Sequence, residues 1–190
     1  HALVSPLLEK TDPVHKVTVI PRGRAGGYTL ALPEEDRYFA TKSELLDKLC
    51  FALGGRVAEK IIFNEISTGA QNDLERVTLT ARKMIMEYGM SDKLGPLTFG
   101  RKQEQVFLGR DLGRERDFSE EIASAIDRET RNMVDECFRR TEELLTKHTK
   151  QLHAIAEAVL EKETLEADEF VRIVGIGKGG KPLDPVDTKS

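Results

Sequence analysis

The sequence has no tryptophan, only two cysteines, and no long apolar run among its 190 residues. Cys50 and Cys137 both lie within apolar helical patterns, so we expect reduced core side chains, as in a cytosolic protein. This spacing excludes a disulfide framework and a Cys-x-x-Cys site. A membrane-spanning helix needs about 18 consecutive apolar residues. Because no such run occurs, we expect this stretch of chain not to span a membrane, and no secretory signal pattern is visible.

An excess of positive charge is also missing. The 29 Lys and Arg residues are outnumbered by 33 Asp and Glu residues, which gives a net charge of −4. General attraction to nucleic acid is therefore not implied, and we expect no nucleic-acid partner. Apolar residues make up 39% and charged residues 33% of the chain, which is typical of a helix-rich globule. A chain of this length predicts one domain, or a domain with a small appendage.

Helical spacing of apolar residues dominates the sequence. Thr41 and Glu44 form a capping box, and the following apolar pattern predicts a helix through residue 62. Residues 117–161 contain neither glycine nor proline, which predicts two long helices with a break near residues 148–150. Three further helix starts are expected from capping residues, namely Asn72, Asp117 and Thr164. The glycine-rich residues 176–190 predict a flexible C-terminal tail.

Two short segments have β character. Residues 14–20 are rich in β-branched residues, residues 22–27 can turn, and residues 28–32 form a second strand pattern. The predicted fold is therefore mainly α, with a small β-hairpin or short sheet. The hairpin either packs against the helical body or offers an edge strand to an extended peptide, and the residues alone favour neither.

The central stretch Ser67-Thr68-Gly69-Ala70-Gln71-Asn72-Asp73-Leu74-Glu75 separates two helical patterns. It places Asp73 in the first turn of a helix, where the helix dipole favours a carboxylate. Such a carboxylate can cap the helix, bind a basic partner or ligate a metal, and capping is the commonest role. Gly54 and Gly55 lie inside the preceding helix, and each costs roughly 1 kcal/mol relative to Ala. This cost indicates close contact with another helix.

The stretch Ser67-Thr68-Gly69-Ala70-Gln71-Asn72-Asp73-Leu74 resembles a signature of the FtsH family, the membrane-anchored ATP-dependent zinc metalloproteases. Other stretches resemble the family in the same order over roughly residues 1–175. These stretches are Val14-His15-Lys16-Val17-Thr18-Val19-Ile20-Pro21-Arg22-Gly23, Gly26-Gly27-Tyr28-Thr29, Leu53-Gly54-Gly55-Arg56-Val57-Ala58-Glu59, Gly89-Met90-Ser91-Asp92-Lys93-Leu94-Gly95-Pro96-Leu97 and Val106-Phe107-Leu108-Gly109-Arg110.

The resemblance implies a helical zinc metallopeptidase domain over residues 1–175. Asp73 matches the family's third zinc ligand, and His1 matches the second His of the family's His-Glu-x-x-His motif. Because the first His and the general-base Glu would precede His1, we expect them upstream and name no catalytic residue here. Glu59 matches an acidic position that would orient a ligand His as an outer partner of the metal site. An exposed helical Glu is the alternative for this residue.

The resemblance also implies binding partners. Zn²⁺ is the expected cofactor, whereas ATP and Mg²⁺ would bind only an ATPase domain outside this stretch. The expected partners are a homo-hexamer, unfolded or extended polypeptide substrates, and the membrane through a transmembrane segment outside this stretch. The peptidase domain would lie on the cytoplasmic side of the inner or plasma membrane and degrade membrane and cytosolic proteins. Four residues are expected to bind substrate: Gly26, Gly27, Tyr28 and Thr29.

Two other functions fit the residues. The long amphipathic helices and the incomplete site favour a helical oligomerisation or interaction module without catalytic activity in this fragment. A regulatory helical domain of a cytosolic enzyme is a weaker third possibility.

Overall fold

The computed structural model describes residues 1–20, 27–32, 39–100 and 118–183. Within these ranges the chain is mostly helical, with one small sheet, which confirms the predicted fold class. The helices are α1 (Val4–Leu7), α2 (Lys42–Phe63), α3 (Gln71–Met86), α4 (Glu120–Lys147), α5 (Thr149–Lys162) and α6 (Ala167–Val174). The strands are β1 (Val14–Thr18), β2 (Tyr28–Ala31) and β3 (Thr164–Glu166), and short 3₁₀ turns cover Thr68–Ala70 and Lys178–Gly180.

Helix α2 begins at the predicted capping box. The Thr41 hydroxyl accepts a hydrogen bond from the Glu44 backbone N–H at 3.3 Å, and the Glu44 carboxylate accepts one from the Thr41 backbone N–H at 2.6 Å. These two bonds satisfy two of the N–H groups that a helix start leaves unpaired. The helix ends at Asn64, whose backbone is left-handed with φ of 51°.

The predicted start of α3 at Asn72 is wrong. A 3₁₀ turn runs directly into the helix, so Gln71 is already its first residue and Ala70 occupies the N-cap position without a side-chain bond. The capping side chain lies further upstream, where Ser67 accepts a hydrogen bond from the Gly69 backbone N–H at 3.0 Å. Ser67, and not Asn72, is therefore the capping residue of this turn.

Two other predicted starts also differ. Helix α4 is capped by Ser119, which accepts from the Ile122 backbone N–H at 3.3 Å, whereas Asp117 lies outside the described residues. The prediction that Thr164 caps a helix is wrong, because Thr164 begins strand β3 and α6 starts after Glu166. The predicted break between the two long helices is confirmed, since His148 separates α4 from α5.

The sheet has three antiparallel strands in the order β2-β1-β3. Strand β1 is central, and its Thr18 hydroxyl lies 2.9 Å from the hydroxyl of Thr164 on β3. On the same strand pair, the Lys16 ammonium contacts the Glu166 carboxylate at 2.9 Å. The third strand escaped prediction because residues 164–166 are too few to show an alternating pattern. In the strand order of the described residues, β2 and β3 are the outer strands.

Helices α2, α3 and α4 form the main core, and α1 lies beneath α2 and α4. Core side chains with almost no exposure include Leu3, Val4, Leu49, Leu53, Val57, Val77, Met84 and Leu145. The two cysteines are buried and free, which confirms the expectation of reduced core residues. No helix in the described ranges is long and apolar enough to cross a membrane.

Part of the expected flexible tail is packed. Ile176 is only 8% exposed and forms a bridge with Pro182, and the Gly179 backbone N–H donates to the Leu8 carbonyl at 3.3 Å. This segment follows α6 and folds back onto α1, since Ile176 supplies apolar surface to the core. Residues 184–190 lie outside the described residues.

An ion pair between a buried carboxylate and a half-exposed guanidinium joins α2 to α4. The Asp47 side chain is 5% exposed, and its carboxylate contacts the Arg140 guanidinium at 2.7 Å. The same carboxylate accepts a hydrogen bond from the Lys10 backbone N–H at 3.0 Å. Because Arg140 is 48% exposed, it can be hydrated if its partner is lost, whereas Asp47 cannot.

We therefore predict unequal costs for the two halves of this pair. Arg140→Ala leaves a buried carboxylate without its cation and should lower the free energy of unfolding by roughly 2 kcal/mol. Asp47→Asn keeps an acceptor for Lys10 and should cost only about 1 kcal/mol. Urea denaturation measures both, with exposed Arg139→Ala as the control. Equal costs for the two variants, or a cost for the control as large as for Arg140→Ala, would contradict the prediction.

Candidate metal centre

The turn before α3 aims Asp73 back towards the start of the chain. Ser67 holds the 3₁₀ turn, and Asp73 follows as the third residue of α3, where the helix dipole favours its negative charge. Ala70 at the N-cap has no side chain that can bond the first amides, and the Asp73 carboxylate contacts His1. The structure therefore shows Asp73 in contact with His1 and not in the capping role that is commonest for such a residue.

His1 is held against α2 by one of its two ring nitrogens. Its Nδ1 donates a hydrogen bond to the Phe51 carbonyl oxygen at 2.8 Å, and its ring lies 5.6 Å from the Phe51 ring, centroid to centroid. The His1 carbonyl also accepts from the Val4 backbone N–H at 3.1 Å. With Nδ1 donating, the neutral imidazole carries its free lone pair on Nε2. A backbone acceptor of this kind commonly orients a metal-ligating histidine.

His1 and Asp73, 72 positions apart in the sequence, meet in space. The distance from His1 Nε2 to Asp73 Oδ2 is 3.3 Å, and the two side chains are 27% and 29% exposed. Two donors on one tetrahedral zinc lie about 3.4 Å apart, from typical Zn–N and Zn–O lengths. The pair therefore matches both the donor types and the donor separation that zinc requires. The same distance also suits an ion pair if His1 is protonated.

Within the described ranges no third His, Cys, Asp or Glu joins this pair to complete a metal-binding group. A hydrolytic zinc site uses three protein ligands and keeps a fourth position open. His1 and Asp73 thus supply two donors, and a complete site requires one more.

The two interior glycines of α2 lie against His1. A Cβ atom on Gly54 would lie 3.0 Å from the His1 backbone nitrogen, and one on Gly55 would lie 2.7 Å from His1 Nε2. The close contact expected from these glycines is confirmed, since Gly54 lies against the His1 backbone and against Val4 at the start of α1, and Gly55 lies against the His1 ring.

Glu59 contacts the turn before α3. Its carboxylate accepts hydrogen bonds from the Ser67 hydroxyl at 2.5 Å and from the Ser67 backbone N–H at 3.2 Å, and the Arg56 guanidinium lies 3.7 Å away. These hydrogen bonds, with the nearby Arg56 charge, hold the pKa of Glu59 below its ordinary value. Glu59 therefore supports the segment that presents Asp73. Its role as the outer partner of a ligand His stays a prediction.

The predicted substrate-binding residues lie at one outer strand. Gly27 precedes β2, and a Cβ atom there would lie 2.5 Å from the Thr18 carbonyl oxygen on β1, so only glycine fits. Tyr28 and Thr29 begin β2 and pair with β1 through one edge. No strand in the described part of the chain covers the other edge. Gly26 lies outside the described residues, and substrate binding by the other three stays a prediction.

Two contributors to this site were missed from the sequence. The Phe51 carbonyl is a backbone group, and no side-chain pattern marks it. Ser67 is a residue type that often caps helices, whereas Asn72 and Glu75 have the spacing of a capping box.

A mainly helical domain that holds a histidine and an aspartate at zinc-ligand separation is compatible with the class of metallopeptidase-like domains. Comparison with known families makes the assignment specific. Residues 1–173 match peptidase family M41, so the chain belongs to this family.

Curated relatives agree with this family. The chain is 58% identical over 173 residues to "ATP-dependent zinc metalloprotease FtsH 1" of Thermoanaerobacter sp. (strain X514), covering 91% of this chain and 28% of the relative. It is 51% identical over 178 residues to "ATP-dependent zinc metalloprotease FtsH" of Bacillus subtilis (strain 168), covering 93% of this chain and 28% of the relative. The chain therefore spans a little over a quarter of the length of these relatives.

The lowered pKa of Glu59 predicts a pH-dependent contribution to stability. A carboxylate whose pKa is lower in the folded state stabilises the fold above its unfolded value of about 4.5, and the contribution is lost as the pH falls through the folded pKa. Glu59→Gln should therefore melt below the unchanged protein at pH 7, and the gap should close as the pH falls below about 4.5.

Thermal melts across this pH range measure the gap. Glu157 on α5 is exposed and its side chain forms no hydrogen bond or ion pair with the described residues, so Glu157→Gln is the matched control and should give a small gap. A gap for Glu59→Gln that stays constant or widens on acidification would show that the Ser67 contacts do not favour the charged form.

Proposed function

We propose that this chain is the peptidase domain of a zinc-dependent endopeptidase, with His1 and Asp73 as two of its zinc ligands. The observation that carries the proposal is the 3.3 Å separation between His1 Nε2 and Asp73 Oδ2, with Nδ1 already committed to Phe51. The remaining ligand, a histidine, and the general-base glutamate would come from residues upstream of His1. The names of the relatives support zinc as the metal.

The chain's own residues would prepare this site. When bound, zinc lowers the pKa of a coordinated water to near 7 and polarises a carbonyl group. Phe51 holds the imidazole in the tautomer whose lone pair lies on Nε2, and Asp73 adds a negative charge that stabilises a bound cation. Glu59 and Ser67 fix the turn that carries Asp73. Each of these contacts is made by the chain's own residues, which favours a preorganised site.

The extended substrate would bind along β2. In the described part of the chain this outer strand pairs only with β1, so its other edge can add a further strand by main-chain hydrogen bonds. Recognition through the main chain suits a protease that accepts many sequences. In this arrangement the Gly27–Thr29 segment would contact the peptide backbone.

The whole protein would be larger than this chain, which covers 28% of its relatives. We propose that it degrades membrane and cytosolic proteins, and that an ATPase domain outside this stretch uses ATP and Mg²⁺ to deliver unfolded polypeptides. It would assemble as a homo-hexamer anchored in the inner or plasma membrane, with this domain on the cytoplasmic side. The names of the two relatives support ATP dependence.

The second candidate function is a helical assembly module without catalytic activity in this fragment. It is favoured by the presence of only two paired donors among the described residues. Exposed apolar side chains at the end of α2, Phe63 and Ile66, are also compatible with assembly.

Metal stoichiometry separates the two functions. We predict about one zinc per chain in a protein extended through its native upstream residues, measured by elemental analysis after dialysis. Asp73→Ala should lose the metal or bind it much more weakly, because affinity depends on the number of ligands. Asp168→Ala is the matched control, since Asp168 also lies in the first turn of a helix, α6.

Absence of zinc from the extended protein would refute the peptidase proposal and leave the assembly module. Zinc that is retained in Asp73→Ala would keep the metal and assign the third ligand elsewhere, with Glu59 the next candidate. Loss of zinc in Asp168→Ala as well would indicate a general effect on folding.

An added peptide should select one edge of the sheet. Titration of an uncleaved extended peptide into isotope-labelled protein is predicted to shift the backbone amides of β2, followed by NMR. The amides of β3, the opposite outer strand, provide the internal control. Shifts confined to β3, or no shifts in either strand at saturating peptide, would refute binding along β2.

A further inference from the structure

Gly54 and Gly55 lie against different parts of the chain near His1. The three atoms nearest to a Cβ atom on Gly55 would all belong to the His1 ring, with Nε2 at 2.7 Å, Cε1 at 3.3 Å and Cδ2 at 3.4 Å. A Cβ atom on Gly54 would meet the His1 backbone nitrogen at 3.0 Å, the His1 Cα at 3.1 Å and Val4 Cγ2 at 3.1 Å. Gly55 thus faces the His1 ring, whereas Gly54 faces the His1 backbone and the buried Val4 side chain.

The two clashes would be relieved in different ways. An imidazole ring can turn about its side-chain bonds, so a methyl group at position 55 displaces the ring and leaves the backbone in place. A methyl group at position 54 presses on the backbone before α1, whose neighbours Leu3 and Val4 are buried in the core. Relief there requires the packed segment to move, which well-packed interiors resist.

The atom nearest the missing Cβ of Gly55 is Nε2, which also lies 3.3 Å from Asp73 Oδ2. A ring pushed off Gly55 would lose the alignment of Nε2 with Asp73 or the bond from Nδ1 to the Phe51 carbonyl. Alanine at position 55 would improve the helix propensity of α2. The glycine is therefore unfavourable for the helix and favourable for the ring.

We propose that Gly55 is a positioning residue of the metal centre, whose missing side chain leaves the space in which His1 directs Nε2 towards Asp73. The proposal rests on the proposed function, because it assigns Gly55 a role towards the same zinc site. Gly54 has a different role and packs α2 against the segment before α1. Gly55 therefore serves the metal site, and Gly54 serves the packing of the fold.

Paired alanine variants test this separation in the protein extended through its native upstream residues. Gly55→Ala should leave the melting temperature of the metal-free protein unchanged or raise it, and should weaken zinc affinity about 10- to 100-fold, as changes around a ligand do. Gly54→Ala should lower that melting temperature. Chelator competition measures the affinity, and calorimetry of the metal-free protein measures the melting temperature.

A third variant isolates the clash. In a His1→Ala background the ring is gone, so adding Gly55→Ala should raise the melting temperature of the metal-free protein through helix propensity alone. Unchanged zinc affinity in Gly55→Ala would overturn the proposal. A lowered melting temperature when Gly55→Ala is added to His1→Ala would also overturn it, because the glycine would then serve packing and not the ring.

A metal-independent measurement keeps this proposal distinct from the proposed function. In the metal-free protein, NMR should show close contacts between the Gly55 α-protons and the His1 ring protons, and Gly55→Ala should shift the ring resonances. If the unsubstituted protein binds no zinc, the peptidase proposal fails, yet the ring position remains testable. Absence of both the contacts and the shift would refute the role of Gly55.

Discussion

The close approach of His1 to helix α2 is the constraint on which the candidate site depends. The ring can lie there only because position 55 has no side chain, and it stays there because its Nδ1 bonds the Phe51 carbonyl at 2.8 Å. These two conditions direct Nε2 outward. Asp73 then needs only a rigid helix start to reach it, and the 3₁₀ turn before α3 provides one.

Helix α2 carries these conditions on successive turns. Asp47, Phe51, Gly55 and Glu59 are spaced four residues apart, so they fall on neighbouring positions of one side of the helix. Asp47 binds Arg140 on α4, Phe51 and Gly55 receive His1, and Glu59 holds the Ser67 turn. Contacts along the length of α2 thus reach α4, the His1 ring and the turn that carries Asp73. Its length of 22 residues makes this possible.

Sequence reasoning predicted the helices well where apolar spacing is long, as in α2 and α4. It failed where few residues decide the structure: a three-residue strand at Thr164 and a helix start whose cap, Ser67, is held by a side chain eight positions earlier. For the site, residue spacing alone left Asp73 between three roles, and the family resemblance paired it with His1. The Phe51 carbonyl and the clearance at Gly55 follow from tertiary geometry, which local patterns do not encode.

The candidate metal centre requires that His1 and Asp73 bind the same metal ion. Anomalous diffraction at the zinc edge, on crystals of the zinc-loaded protein extended through its native upstream residues, tests it most directly. A metal ion shared by the two side chains predicts one strong peak within about 2.2 Å of both His1 Nε2 and an Asp73 carboxylate oxygen. A peak that contacts only one of the two side chains, or no peak near either, would contradict it and leave the 3.3 Å contact as an ion pair.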